Sequence, residues 1–203
     1  MIRFSFCSAA VLAIVSCAPF EAPVKSLALL DGAVNANAPA GYCVDPAASQ
    51  PADGFALIAS CASLGADDKA PDALGVATVQ VGPATSGAVI GSEDALVGLL
   101  NSEAGAVLLS KDGKPDQIKV IAAETGENAV TVQFTDAGAP PIAGLGAEEW
   151  RAFTDIDGRL VTVAVRGLAT APLRDGTGAW LLDLVLNGLL PSTTGETAET
   201  SDT

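Results

Sequence analysis

The sequence predicts an α+β domain: an antiparallel sheet built from hairpins, with about two helices packed on it. Three observations lead there. Strand-like runs come in pairs around tight-turn residues, as at Asp31-Gly32 and Asp157-Gly158. Two stretches, one after Ser92 and one after Thr177, carry helical apolar spacing instead. The order is hairpins, helix, hairpins, helix, without the strand–helix alternation of a parallel βαβ sheet. The 203 residues are 49% hydrophobic and 17% charged, with mean hydropathy +0.41. That is too apolar for a disordered chain, and the length suits one domain of ordinary size.

The elements follow in order. Lys25 to Leu30 and Ala33 to Asn37 flank the first Asp-Gly turn. Gly41 to Asp45 reads as a short strand stopped by Pro46, and Phe55 to Ser60 as another, followed directly by Cys61. Ser63 to Gly75 is a loop rich in Gly, Pro and Asp, and Val76 to Val81 is a strand ending at Gly82-Pro83. Ser92 is placed to cap a helix. Glu93 and Asp94 suit its positive end, and Leu96, Val97, Leu99 and Leu100 form its apolar stripe, with Ala104 to Ser110 as an extension. Gln117 to Glu124 and Ala129 to Thr135 form a hairpin about residues 126–128. Glu148 to Ile156 and Arg159 to Arg166 form another. A two-residue turn at Asp157-Gly158 pairs Ile156 with Arg159, Thr154 with Val161, Ala152 with Val163, Trp150 with Val165 and Glu149 with Arg166. Thr177 is placed to cap the last helix, which runs to Pro191 and is apolar on nearly all sides, the pattern of a buried helix. Both helices are expected on one face of a sheet of six to nine strands. This element order is similar to that of the Mog1/PsbP-type sandwich, a likeness that implies a fold and not a function.

The N-terminus reads as an address. Arg3 is the only charge before Glu21, and Ile2 to Val15 is otherwise apolar or small. A bilayer span needs about 20 apolar residues, so this is a secretory signal and not a transmembrane helix. It closes with Ile14-Val15-Ser16-Cys17, which resembles the lipobox of bacterial lipoproteins. The resemblance implies cleavage after residue 16, acylation of Cys17 and attachment to a membrane facing the periplasm. Ala18, where an Asp favours inner-membrane retention in that family, implies the outer membrane. The chain then divides into a signal peptide (1–16), a lipidated N-terminus and tether (17–24), the α+β domain (25–190) and a disordered acidic tail (191–203).

Of four cysteines, Cys7 leaves with the signal and Cys17 takes the lipid. Cys43 and Cys61 remain, an even pair in an oxidising compartment. A disulfide between them closes a loop of 17 intervening residues and contributes about 3 kcal/mol. Two buried free thiols are the alternative. No further Cys or His is left to complete a metal site, and no cofactor is expected.

Charge and motifs exclude several functions. The formal net charge is −14, which opposes binding to nucleic acid. The sequence holds no histidine, so Ser-His-Asp, Cys-His and HExxH chemistries are absent. There is no P-loop, dinucleotide fingerprint, Ser-x-x-Lys or Gly-x-Ser-x-Gly pattern, nor the phosphorylation motif of a transport ATPase. Asp155-Ile156-Asp157-Gly158 looks like part of a calcium loop, but its twelfth position is Arg166, so a tight hairpin turn explains it better. Asp67-Asp68, Glu93-Asp94 and Glu148-Glu149 read as a solvated loop, a helix first turn and a strand entry. Arg151, Arg159, Arg166 and Arg174 cluster in an otherwise acidic chain. Local acids account for most of them. Glu149 and Arg166 are expected to form a structural pair. Arg151 faces Ala164, with no acid across from it, and is the best single candidate for an anion contact.

Three functional readings follow. The first is a non-catalytic binding or envelope-assembly module, anchored in the membrane by its lipid and partnered by another envelope protein. The second is a carrier of a small apolar ligand or lipid, and the third a hydrolase using carboxylates.

Overall fold

Alternating apolar and polar residues build most of this molecule as sheet. A computed structural model of the chain describes residues 21–174 and 176–191. The segment expected to be a signal peptide, Cys17 with its expected lipid, and the acidic sequence beyond Pro191 lie outside them. Among the described residues, ten strands form two antiparallel sheets. The smaller holds β1 (Ser26–Leu29), β2 (Val34–Asn37) and β10 (Leu189–Pro191), in the order β1-β2-β10. The larger holds β3 (Tyr42–Val44), β4 (Phe55–Ser60), β5 (Gly75–Val81), β6 (Ile118–Gly126), β7 (Ala129–Asp136), β8 (Leu145–Ile156) and β9 (Arg159–Leu168). Its order is β3-β4-β5-β9-β8-β7-β6. The described residues also form three α-helices: α1 (Glu93–Leu100), α2 (Glu103–Leu109) and α3 (Thr177–Asn187). The α+β class and the hairpin construction are those expected.

The β8–β9 hairpin carries the expected register throughout, from Ile156 opposite Arg159 to Glu149 opposite Arg166. Asp157 and Gly158 both take positive φ, 49° and 68°, as a two-residue turn between right-twisted strands requires. In the first hairpin Asp31 and Gly32 also take positive φ, but so does Leu30, and the ladder closes at Leu29 opposite Val34, so the loop is longer than the expected Asp-Gly turn. Cys43 and Cys61 are joined, with their Cα atoms 4.9 Å apart, because β3 and β4 are neighbours and Cys61 lies just past the residue facing Tyr42.

Several expectations are corrected. The helices do not share a face. Trp150, Ala152, Val161, Val163 and Val165 point to the side covered by α3 and the small sheet, where they join Leu181, Leu182 and Val185 in the larger core. Val130, Val132 and Phe134, which lie across from Phe153, Arg151 and Glu149, point to the other side and pack with Leu100 and Leu109 of α1 and α2. The last helix is also shorter than expected. It stops at Asn187, and Leu189–Pro191 turns back as β10 beside β2, so Pro191 belongs to the domain and not to the tail. Gly188 permits this reversal: Asn37 donates to its carbonyl from backbone N–H (3.1 Å) and from Nδ2 (2.9 Å), and a Cβ at Gly188 would collide with the Asn37 carbonyl. Trp180 on that helix is 52% exposed, so the helix is not buried on all sides. Finally, α1 and α2 are separate. The chain breaks at Asn101-Ser102, and the Ser102 hydroxyl caps α2 by accepting from Gly105 N–H at 3.2 Å. Ser92 holds the cap position of α1 without a side-chain capping bond.

Candidate functional site on the α1–α2 face

Strand periodicity places Glu149 and Arg151 side by side on β8, and the hairpin register places Arg166 opposite Glu149. All three point to the α1–α2 face. Glu149 is buried, and its two oxygens are divided between the arginines. Oε2 accepts from Arg166 Nε and lies 2.6 Å from its Nη2. Oε1 accepts from Arg151 Nε and lies 2.6 Å from its Nη2. Arg166 also donates through Nη1 to the carbonyls of Gly146 (2.9 Å) and Ala147 (3.5 Å). Those carbonyls turn toward it where the β8–β9 ladder is irregular, between Leu145 and Glu149. The expected Glu149–Arg166 pair is therefore present.

The premise for Arg151 needs correction. An acid does pair with it, the same Glu149, because residues two apart on a strand are neighbours on one face. The consequence is a count of charges. One carboxylate serves two guanidiniums, which leaves one net positive charge in a chain of net charge −14. Arg166 is enclosed, with its side chain 6% exposed. Arg151 is the open one at 19%, and its guanidinium lies 5.2 Å from the centre of the Phe134 ring. Phe134 belongs to the α1–α2 core, so the arginine stands at the border of the covered half of the face.

Beyond that border no helix among the described residues covers the sheet: α1 and α2 rest on β6 and β7. The ladders align Arg151 on β8, Ala164 on β9, Thr78 on β5 and Leu57 on β4 in one row across four strands. The row spans roughly 14 Å at ordinary strand spacing. Phe55, Val76 and Thr162 flank it. All are partly exposed, and none of the side chains between Arg151 and Leu57 is acidic. The sequence singled out Arg151 but not this row. The ladder of the Asp-Gly hairpin could reveal Ala164; the pairing of β9 with β5, which joins Thr78 to Ala164, 86 residues on, has no local signal.

Elsewhere the chemistry-bearing residues serve the fold. The Asp155 carboxylate accepts N–H groups from Ala88 (3.1 Å), Val89 (2.8 Å) and Ile90 (3.0 Å), tying the loop before α1 to the β8–β9 hairpin. That use replaces the calcium-loop likeness. Arg159 donates to the Gly82 carbonyl at 3.1 Å. Asp68 pairs with Lys25 at 3.5 Å. Glu148 points away from Glu149, on the α3 face, and accepts from Gln133 at 2.7 Å. Burial pushes the Tyr42 phenol above its ordinary pKa, partly opposed by a backbone hydrogen bond at Gly75. Among the described residues no three His, Cys, Asp or Glu gather as a metal site. A hollow of about 400 Å³ lies between α3 and β6–β7, with Trp150 and Leu182 beside Glu124 and Asp183. A second, of about 730 Å³, lies at the hairpin ends near Asp31, Asp53 and Arg159. Both are open surface hollows with mixed polar and apolar walls.

No protein-family model matches the chain, and no curated protein sequence matches it. Its fold is similar to that of the Ran-binding protein Mog1p from Saccharomyces cerevisiae. The TM-score is 0.51 at 11% identity, over 83% of this chain and 95% of that one. Cyanobacterial PsbP (CyanoP) from Synechocystis aligns with a TM-score of 0.46 at 14% identity, over 88% of this chain and 98% of that one. The Mog1-type sandwich implied by the element order is thus the architecture observed, and at this identity the likeness extends to fold alone.

Proposed function

We propose that the chain is a lipid-anchored, non-catalytic binding module of the cell envelope. Its partner is another envelope protein that docks on the uncovered half of the α1–α2 face. The observation that carries this reading is the row from Arg151 to Leu57: a partly apolar sheet surface, free of acids in a strongly acidic chain, beside an arginine held in place by Glu149. The lipobox at Cys17 supplies the anchor, and Ala18 favours the outer membrane. Mog1p is a Ran-binding protein, so the same architecture serves protein binding there, which supports the reading by analogy. A carrier would call for an enclosed apolar cavity, whereas the hollows here are open. A carboxylate hydrolase would call for a desolvated carboxyl aimed into a cleft, whereas buried Glu149 is held by two arginines, buried Asp136 accepts the Gly138 N–H, and the acids of the α3-side hollow, Glu124 and Asp183, are both exposed.

The test places a photo-crosslinking residue in the full chain in cells, at Thr78 on the proposed face or at Thr131 on the opposite one. A discrete protein adduct from Thr78 and none from Thr131 is expected. The reverse pattern would reject the docking face. Cys17→Ala should release the protein from the membrane fraction or leave it unprocessed.

A further inference from the structure

We propose that Arg151 anchors a carboxylate of the docking partner, from an Asp, a Glu or a chain terminus, on a segment that also places an apolar side chain over Leu57. The inference rests on the docking reading and goes beyond it by naming the group recognised.

Three observations lead to it. The Glu149 centre is short of one negative charge. Both of its carboxylate oxygens are engaged, so neither arginine can obtain more from it. Arg166 completes its fork on the Gly146 and Ala147 carbonyls, whereas Arg151 has no protein acceptor at Nη1 among the described residues. The free part of the Arg151 guanidinium is therefore the unfilled valence of the site.

The second observation is rigidity. Bonds from Nε and Nη2 to Glu149 and the contact with Phe134 fix the plane of the guanidinium. A planar fork held in advance loses little freedom when it takes a carboxylate. Its partial burial also strengthens the attraction relative to an arginine in open water.

Third is what surrounds it. Ala164, the next residue in the row, is small and leaves room beside the arginine. Thr78 follows with a hydroxyl, and Leu57 ends the row with an apolar surface. A matching partner carries a carboxylate and an apolar group roughly 14 Å apart, the span of three strand spacings. A highly acidic chain repels an acidic partner over most of its surface, so this row also selects where such a partner can approach.

The experiment has two arms. Sodium acetate is titrated into the full chain and followed by NMR at the Arg151 Nε–H and the Ala164 amide. A saturable shift is expected at both in the wild type, and the shift at the Ala164 amide, the probe the two proteins share, is expected to vanish in Arg151→Gln. That variant keeps the Glu149–Arg166 pair, so it should stay folded, which a thermal unfolding curve checks. In cells, the Thr78 adduct is expected to fall at least tenfold in Arg151→Gln. Arg151→Glu should abolish it, and exchange of the mapped partner carboxylate for Lys should restore it. Equal acetate shifts in wild type and Arg151→Gln overturn the proposal. So does a Thr78 adduct within twofold of wild type in Arg151→Gln, which rejects the carboxylate anchor and leaves the docking face standing. Absence of any Thr78 adduct in the wild type overturns both.

Discussion

The two cores on opposite faces of the large sheet differ in how they are assembled. The α3 core draws residues from both ends of the described chain. Leu29 and Val34 of the small sheet, Ile58 and Val79 of the large one, and Leu181 and Val185 of α3 are all fully buried in one cluster. The α1–α2 core is smaller: Val89, Leu100, Leu109 and three residues of β7. Its helices have eight and seven residues, too short to hold by propensity alone, and Leu99, Val107 and Leu108 remain exposed on them. A small core can cover only part of a seven-stranded face. The surface left open on that side is a direct result of this difference, and the Glu149 centre stands at its boundary.

Four substitutions test the comparison, beginning with the largest effect. Glu149→Ala leaves two guanidiniums, one of them enclosed, without a counter-charge. It should cost about 3–5 kcal/mol in denaturant unfolding. A loss below about 1 kcal/mol would mean that the centre relaxes into solvent. Next, Leu181→Ala and Leu100→Ala remove side chains of equal size from the two cores. The first should cost about 4 kcal/mol. The second should cost nearer 2 kcal/mol, because the short helices can settle into the space. Equal losses would show that the two cores are one cooperative unit. The smallest effect is expected for Asp155→Ala, which frees three N–H groups of the loop before α1. It should cost about 1–2 kcal/mol. Hydrogen exchange should quicken at Ala88, Val89, Ile90 and α1 while α3 stays protected.

Local chemistry made much of this molecule legible. The Asp157-Gly158 turn admits one register, so the Glu149–Arg166 pair could be read off the chain. Cys43 and Cys61 were legible from the cysteine count together with the expected export of the chain. What resisted was everything set by long-range packing. Which face a helix covers depends on side-chain parity in strands that are distant in sequence, so α1–α2 and α3 fell on opposite sides unannounced. β10 was hidden because Leu189 and Leu190 continue the apolar pattern of α3. Only the fit of Gly188 against Asn37 shows why the helix ends first. The second partner of Glu149 was available from spacing, since Arg151 is two residues away on the same strand. Attention to cross-strand pairs alone obscured it.

The central claim is that the open half of the α1–α2 face meets a protein in the envelope. Hydroxyl-radical footprinting of the full chain, purified and in intact envelopes, measures that contact most directly. Phe55, Leu57 and Val76 should react in the purified protein and be protected several-fold in the envelope, while Trp180 on α3 reacts alike in both. Protection at Trp180 with Phe55, Leu57 and Val76 unchanged would contradict the account.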